Sequence, residues 1–384
     1  MNNQTVRQPR SLNALAATCA AALTVIGSGA SAPALADNSA PPGRSIGYVI
    51  SDIRWAVYQT KEAKEECPQG LAELGPGEQY KLKFPNDGTK RKFVDTALAS
   101  EMGIWWPAKV NDQFPFHEAG GTVALGLNLD GKTKPTDFTS PEGEPGIDNQ
   151  LYRVIGCIGN YRDGGSLLVE ETNSFQRAKI DRMLIELTDV DSLINDDELT
   201  LTTYRGRDEL VHDALGKHQP GGTQRLDVRW GKPLVRRAKA KIVDGVLTTE
   251  PMEFIMPADT RGGANYEDVH AARFKLKLTP EKGEGIIGGY FDIETFYNGR
   301  NRNYSTQHQS YGKQAAPSVY KELRKWADAY PDPKTGVNTA ISGAFTVKLV
   351  HVHILRSGKE VAEIQPEAVS TQLARRGVAD VGLK

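Results

Sequence analysis

The stretch "KAKIVDGVLTTEPMEFIMP" at 239–257 alternates apolar with polar side chains on both sides of Asp244-Gly245. A period of two puts every second side chain on one face of an extended strand. An Asp-Gly pair between two such runs marks a tight hairpin, because that turn needs a positive φ that glycine adopts easily. The same pattern recurs at 182–190, 197–206, 224–231, 272–280 and 285–298, and longest at 344–358, "AFTVKLVHVHILRSG". Earlier in the chain, 45–60, 80–84 and 121–129 read as strands as well. No βαβ alternation and no repeat of fixed period appears. Short strands joined by Gly and Asp turns predict an all-β fold, an antiparallel β-sandwich of jelly-roll type with long loops and one or two covering helices.

One helix is predicted over 317–330, "PSVYKELRKWADAY", with Val319, Leu323 and Trp326 on one face. It starts at a proline and stops at "PDP". A weaker helix or loop-to-strand candidate lies at 175–184.

The first 36 residues have the anatomy of a secretory signal. Arg7 and Arg10 form a positive start, an apolar and small-residue run follows, and "ALA" ending at Ala36 offers a cleavage site before Asp37. The apolar run is shorter than the ~20 residues that a membrane-spanning helix needs. The expectation is a secreted or periplasmic chain with no transmembrane segment after cleavage, 384 − 36 = 348 residues long. It reads either as one continuous domain or as an N-terminal β-rich part (37–170) and a sandwich part (171–384).

Lys and Arg number 47 against 48 Asp and Glu, so no global field draws nucleic acid. The basic run at 232–241 reads as a solvated strand face. With Cys19 inside the signal, Cys67 and Cys157 remain, and in an exported protein two cysteines most simply form a disulfide. No haem, flavin, nucleotide, paired-CxxC, GxSxG or HExxH signature is present.

Four places gather chemistry. The segment 288–312 is dense in aromatics, amides and charges. Asp292 and Glu294 sit two apart in a predicted strand, and Arg302, Tyr304 and His308 follow as further acid–base candidates. Tyr297, Asn298, Arg300 and Tyr311 are candidate ligand contacts, since rings stack on sugar faces and amides bind hydroxyls. His351 and His353 share one strand face, as a zinc or copper site would require, with His308 as a possible third ligand. "MGIWWPAKVNDQFPFHEAGG" at 102–121 clusters aromatics suited first to core packing.

The fourth is the polar stretch at 129–150, where Asp130, Asp137, Asp148 and Asn149 could supply oxygens to calcium. The alternative is a solvated linker. "PGIDN" at 145–149 resembles the ending of Asp-rich metal-binding repeats of bacterial exported proteins. The likeness covers about 22 residues, and the dense DxDxDG run of those repeats is reduced here to Asn128, Asp130 and Gly131.

The functional expectation is an exported binding or structural protein of the envelope or extracellular space that contacts a glycan. The alternatives are a polysaccharide-acting lyase or glycosidase using 292–311, and a His-ligated metal protein.

Overall fold

A computed structural model describes residues 39–72, 98–100, 103–105, 116–165, 182–227, 235–257, 266–303 and 316–356. The expected signal, the strand at 80–84 and most of 175–184 lie outside these residues. In chain order the elements are β1 (Ser39–Trp55), the short strands β2 (Leu98–Ser100), β3 (Gly103–Trp105), β4 (Phe138–Thr139) and β5 (Pro145–Ile147), and helix α1 (Gln150–Ile155). Then come β6 (Arg182–Ser192), β7 (Asp196–Gly206), β8 (Gly222–Arg225), β9 (Arg236–Val243), β10 (Val246–Thr249), β11 (Met252–Pro257), β12 (Tyr266–Leu278) and β13 (Lys282–Asp292). Helices α2 (Ile293–Asn303) and α3 (Ala316–Lys325), then β14 (Ala329–Pro331) and β15 (Asn338–Leu355), complete it.

The fold is all-β, but it is a closed barrel and not the expected sandwich. Eight antiparallel strands follow one another in the order β1-β6-β7-β9-β10-β12-β13-β15, and β15 returns to pair with β1. Val350 of β15 sits opposite Val49 on one side and Lys282 on the other, so that strand has neighbours on both edges. A sandwich would leave open edges, whereas closure removes them. Alternation alone does not separate the two folds, because both bury every second residue. Curvature does, and its devices are local. Bulges interrupt β1 between Ile50 and Asp52 and β12 between His270 and Arg273. In β13 a Cβ at Gly285 would stand 2.1 Å from the Lys275 carbonyl oxygen, so only glycine permits that approach of backbones.

The interior is filled. Tyr48, Ile50, Leu201, Ile242, Phe274 and Val347 belong to one buried cluster with the rest of the inward set. At one end Trp55 packs on Phe345, Phe291 and Phe296 at ring separations of 4.1, 5.4 and 5.5 Å. An eight-stranded barrel has room for side chains or one small ligand, and here side chains occupy it. On β9 and β12 and at one position of β15 the outer residues are charged: Arg237, Lys239, Lys241, Lys275, Lys277 and Lys348 alternate with the buried residues. That is the reverse of a lipid-facing barrel wall, which excludes charge near the midplane. The basic run at 232–241 accordingly contributes a solvated strand face.

The hairpin expected at Asp244-Gly245 joins β9 to β10 with φ of 50° and 76° at the two turn residues. Segment 116–165 folds against the barrel end, with α1 burying Leu151, Tyr152, Val154 and Ile155. The strand expected at 121–129 is absent. Only isolated bridges Val123↔Thr139 and Leu127↔Asp148 form there, and a Cβ at Gly126 would meet Ile147 at 2.7 Å. Cys67 and Cys157 are joined in a disulfide that fastens this segment to the chain after β1. Beside it Arg162 Nη2 meets Glu66 Oε1 at 2.5 Å and Arg162 Nη1 donates to the Gly156 carbonyl at 2.7 Å. Helix α3 buries Val319 and Leu323 as expected but ends at Lys325, short of Tyr330. β1 lies before residue 170 and pairs with β6 and β15 after it.

Candidate functional site on the outer barrel wall

The sequence placed Asp292 and Glu294 on one strand face. The strand stops at Asp292, whose Oδ1 accepts from the Thr295 amide at 2.7 Å and so caps helix α2. Glu294 falls inside the helix and accepts from the Tyr320 hydroxyl. Tyr297 is buried, packed on Tyr320 at 4.9 Å, and Asn298 is half-buried. Arg300 and Arg302 belong to α2, with side chains outside the described residues. Tyr304, His308 and Tyr311 lie outside them altogether. Within the described residues, the carboxylates of this segment and Tyr297 therefore serve helix capping and helix packing. Of the aromatic group at 102–121, Phe116 packs against the core and His117 Nδ1 lies 3.0 Å from the Gly70 carbonyl.

His351 and His353 do share a face. Their rings are 4.9 Å apart, and Tyr48 meets His351 edge-on at 6.2 Å. Burial, then His353 and Arg44, holds the His351 imidazole below its usual range. Among the described residues no group of three or more His, Cys, Asp and Glu is arranged to hold a metal ion.

The polar loop is folded by its own side chains. Asn128 Oδ1 accepts from the Gly131 amide at 2.7 Å, Asp130 Oδ1 from Lys132 at 2.9 Å and Asp137 Oδ2 from Lys134 at 2.6 Å. Asp148 is buried. Its Oδ2 accepts from the Leu129 amide at 2.7 Å, while Oδ1 has no hydrogen-bond partner. The Lys134 ammonium lies 2.5 Å from Asp130 and 3.8 Å from Asp148. Burial pushes the Asp148 carboxyl up to about 6, with Asp130 and Asp137 adding repulsion against Lys134 and the Leu129 amide. Asn149 caps α1 through Tyr152 and donates to the Ala56 and Leu125 carbonyls, so its amide is committed. The cationic position among these carboxylates is held by Lys134.

Beside that loop lies a constellation that sequence reasoning missed. On β12 the inward Val269 and Ala272 leave Asp268 and His270 facing out, and β13 adds Tyr290 and Asp292 on the same face. From β11, Glu253 Oε2 meets His270 Nδ1 at 2.7 Å. The Tyr330 ring lies 4.8 Å from the imidazole and 5.8 Å from the Tyr290 ring. No protein-family model, curated protein or solved structure matches the chain. The site is accordingly read from its own chemistry.

Two non-glycine residues here hold positive φ: Ala271 at 47°, within the β12 bulge, and Tyr330 at 55°. Such conformations cost roughly 1–3 kcal/mol each, and they re-aim neighbouring side chains. The hydrogen bond to Glu253 raises the His270 imidazole above its usual range, and the same bond lowers Glu253. Burial, then Asp292, raises Asp268. The half-buried Arg236 carries an Nε without a partner, and Glu253 and Asp268 lie within its electrostatic reach. Tyr330, 42 % exposed, and an imidazole–carboxylate pair thus stand together on the outer wall, whereas Arg236 has the inward parity of Ala238 and Ala240 on β9. The signal that could have found them is "EDVH" at 267–270, where Asp268 and His270 share strand parity. The missing information was that β11 and β14 would bring Glu253 and Tyr330 to them.

Proposed function

We propose that the protein is an exported binding protein that contacts a glycan through the outer-wall patch of Glu253, Asp268, His270, Tyr290 and Tyr330. The observation that carries this reading is the Tyr330 ring, exposed, held at positive φ and set against the paired imidazole of His270. A sugar offers one apolar ring face and a rim of hydroxyls. A tyrosine face matches the first, and an imidazole–carboxylate pair matches the second. The side-chain-filled barrel supports a binding surface on the wall over one in the lumen. The N-terminal signal-like stretch supports export.

The test is retention of the purified chain on a panel of insoluble polysaccharides: peptidoglycan, chitin, cellulose and an acidic polysaccharide. Retention on at least one, weakened tenfold or more by Tyr330→Ala with an unchanged melting temperature, is expected. No retention on any of them, or retention equal in Y330A, contradicts the proposal.

A further inference from the structure

On the opposite strands of the barrel the excursion between β7 and β9 crosses the outer face. It covers a second apolar cluster of Val49, Leu184, Tyr204, Leu210, Val235 and Val352. Two outward carboxylate and guanidinium positions on β6 flank that cluster, and they are treated very differently. Glu186 is fully met: Ser45 Oγ and Tyr204 Oη donate to it at 3.0 Å each, and Arg356 pairs with it. Four residues earlier on the same face, Arg182 is only 1 % exposed, and its Nε, Nη1 and Nη2 all lack a partner.

The surroundings of Arg182 follow from register. Val49 lies opposite Leu184, so continuing two residues along each strand brings the β1 bulge at Ser51 and Asp52 beside Arg182. On its other side Arg182 pairs with Gly206. A Cβ there would stand 3.0 Å from Gln224 Oε1, which is also buried and unpartnered. Gln224 Nε2 is already committed to the Glu209 carbonyl at 3.2 Å. Half-buried His218, from the 211–219 hairpin closed by the His212↔His218 bridge, completes the lining. Of the nearby carboxylates, Asp208 is taken by Arg225 at 2.5 Å and Glu209 is exposed, while Asp52 accepts from Arg54 Nε through Oδ2 at 3.2 Å and keeps a buried Oδ1 that forms no hydrogen bond to Arg182 or to any other group.

A buried charge without a partner is strongly unfavourable unless something else meets it. A planar guanidinium with five donors is matched by the oxygens of a carboxylate or phosphate. We infer that the buried Arg182 guanidinium beneath 207–227 binds a small oxyanion, phosphate or carboxylate, with the His218 imidazole beside it. The site is separate from the outer-wall patch on β11–β14 and independent of the glycan reading. Burial, then His212, holds the His218 imidazole below its usual range, and an adjacent anion opposes that effect.

The experiment is thermal melting of the wild-type chain in oxyanion-free buffer, titrated separately with inorganic phosphate and with acetate. Chloride at matched ionic strength is the control. Saturating phosphate or acetate is expected to raise the melting temperature by about 3 °C or more, as ligand binding to the folded state alone requires. The arm with the stronger shift distinguishes a tetrahedral from a planar ligand. Arg182→Met, which removes the unpaired charge, should abolish the shift. No shift with either oxyanion, or an equal shift in R182M, overturns the inference. Should R182M fail to fold, His218→Ala decides, because the imidazole nitrogens have no hydrogen-bond partner and one of them can donate to the anion. Weaker oxyanion binding by calorimetry supports the site, and unchanged affinity overturns it.

Discussion

At position 148 a carboxylate stands where water does not reach it, with one oxygen bonded to a backbone amide and the other unpartnered. The unfolded carboxyl ionises near 3.8 and the folded one at about 6. The unfolded chain therefore gives up this proton first as pH rises. Stability falls between about pH 4 and pH 6, and the full penalty holds above that window. Two pKa units correspond to roughly 3 kcal/mol as an upper bound. Asp148→Asn keeps the shape and removes the charge. It is expected to be more stable than wild type at pH 8 by up to that amount, with the difference vanishing near pH 4. Urea unfolding at the two pH values measures it. A less stable D148N at pH 8, together with a wild-type melting temperature lowered by chelator, would instead mark the carboxylate as a cation ligand. The Asp and Asn density of this loop was legible from sequence. That Lys134 would stand among those carboxylates was not, because a turn formed by Asn128 and Asp130 side chains decides where the lysine points.

Elements carry the next lesson. Cysteine count alone announced the Cys67–Cys157 bridge, which spans a sequence separation of 90. Replacing both by serine should lower stability by about 4 kcal/mol on the chain-entropy model, read by denaturant unfolding. An unchanged midpoint would mean that the Glu66–Arg162 pair fastens the segment unaided. Arg153 of α1 lies over the Phe138 ring at 4.2 Å and the Trp326 ring at 4.7 Å, joining the loop to α3. Arg153→Ala is therefore expected to cost about 1–2 kcal/mol through lost ring contacts and packing. A change within a few tenths would show that helix docking rests on Val319 and Leu323. Helix α3 was readable because three apolar residues repeat at helical spacing. Helix α2 was not, because Asp292-Ile293-Glu294 also alternates like a strand, and the deciding Asp292 cap is visible only once Thr295 is seen to turn back onto it.

For the whole molecule, the inward–outward pattern was legible strand by strand, and the closure was not. Closure depends on β15 being long enough to pair with β13 and β1 together, and on bulges at Asp52 and Ala271 that no period-two pattern announces. The same bulge sets His270 against Glu253, so the feature that bends the wall also builds the patch on it. Hydrogen exchange of the full chain, with and without a soluble fragment of the polysaccharide that retains it, tests that assignment most directly. The account predicts slowed exchange in 252–257, 266–272, 288–292 and 327–332, with strand segments on the far wall unchanged. Protection confined to other segments, with those four unaffected, would contradict it.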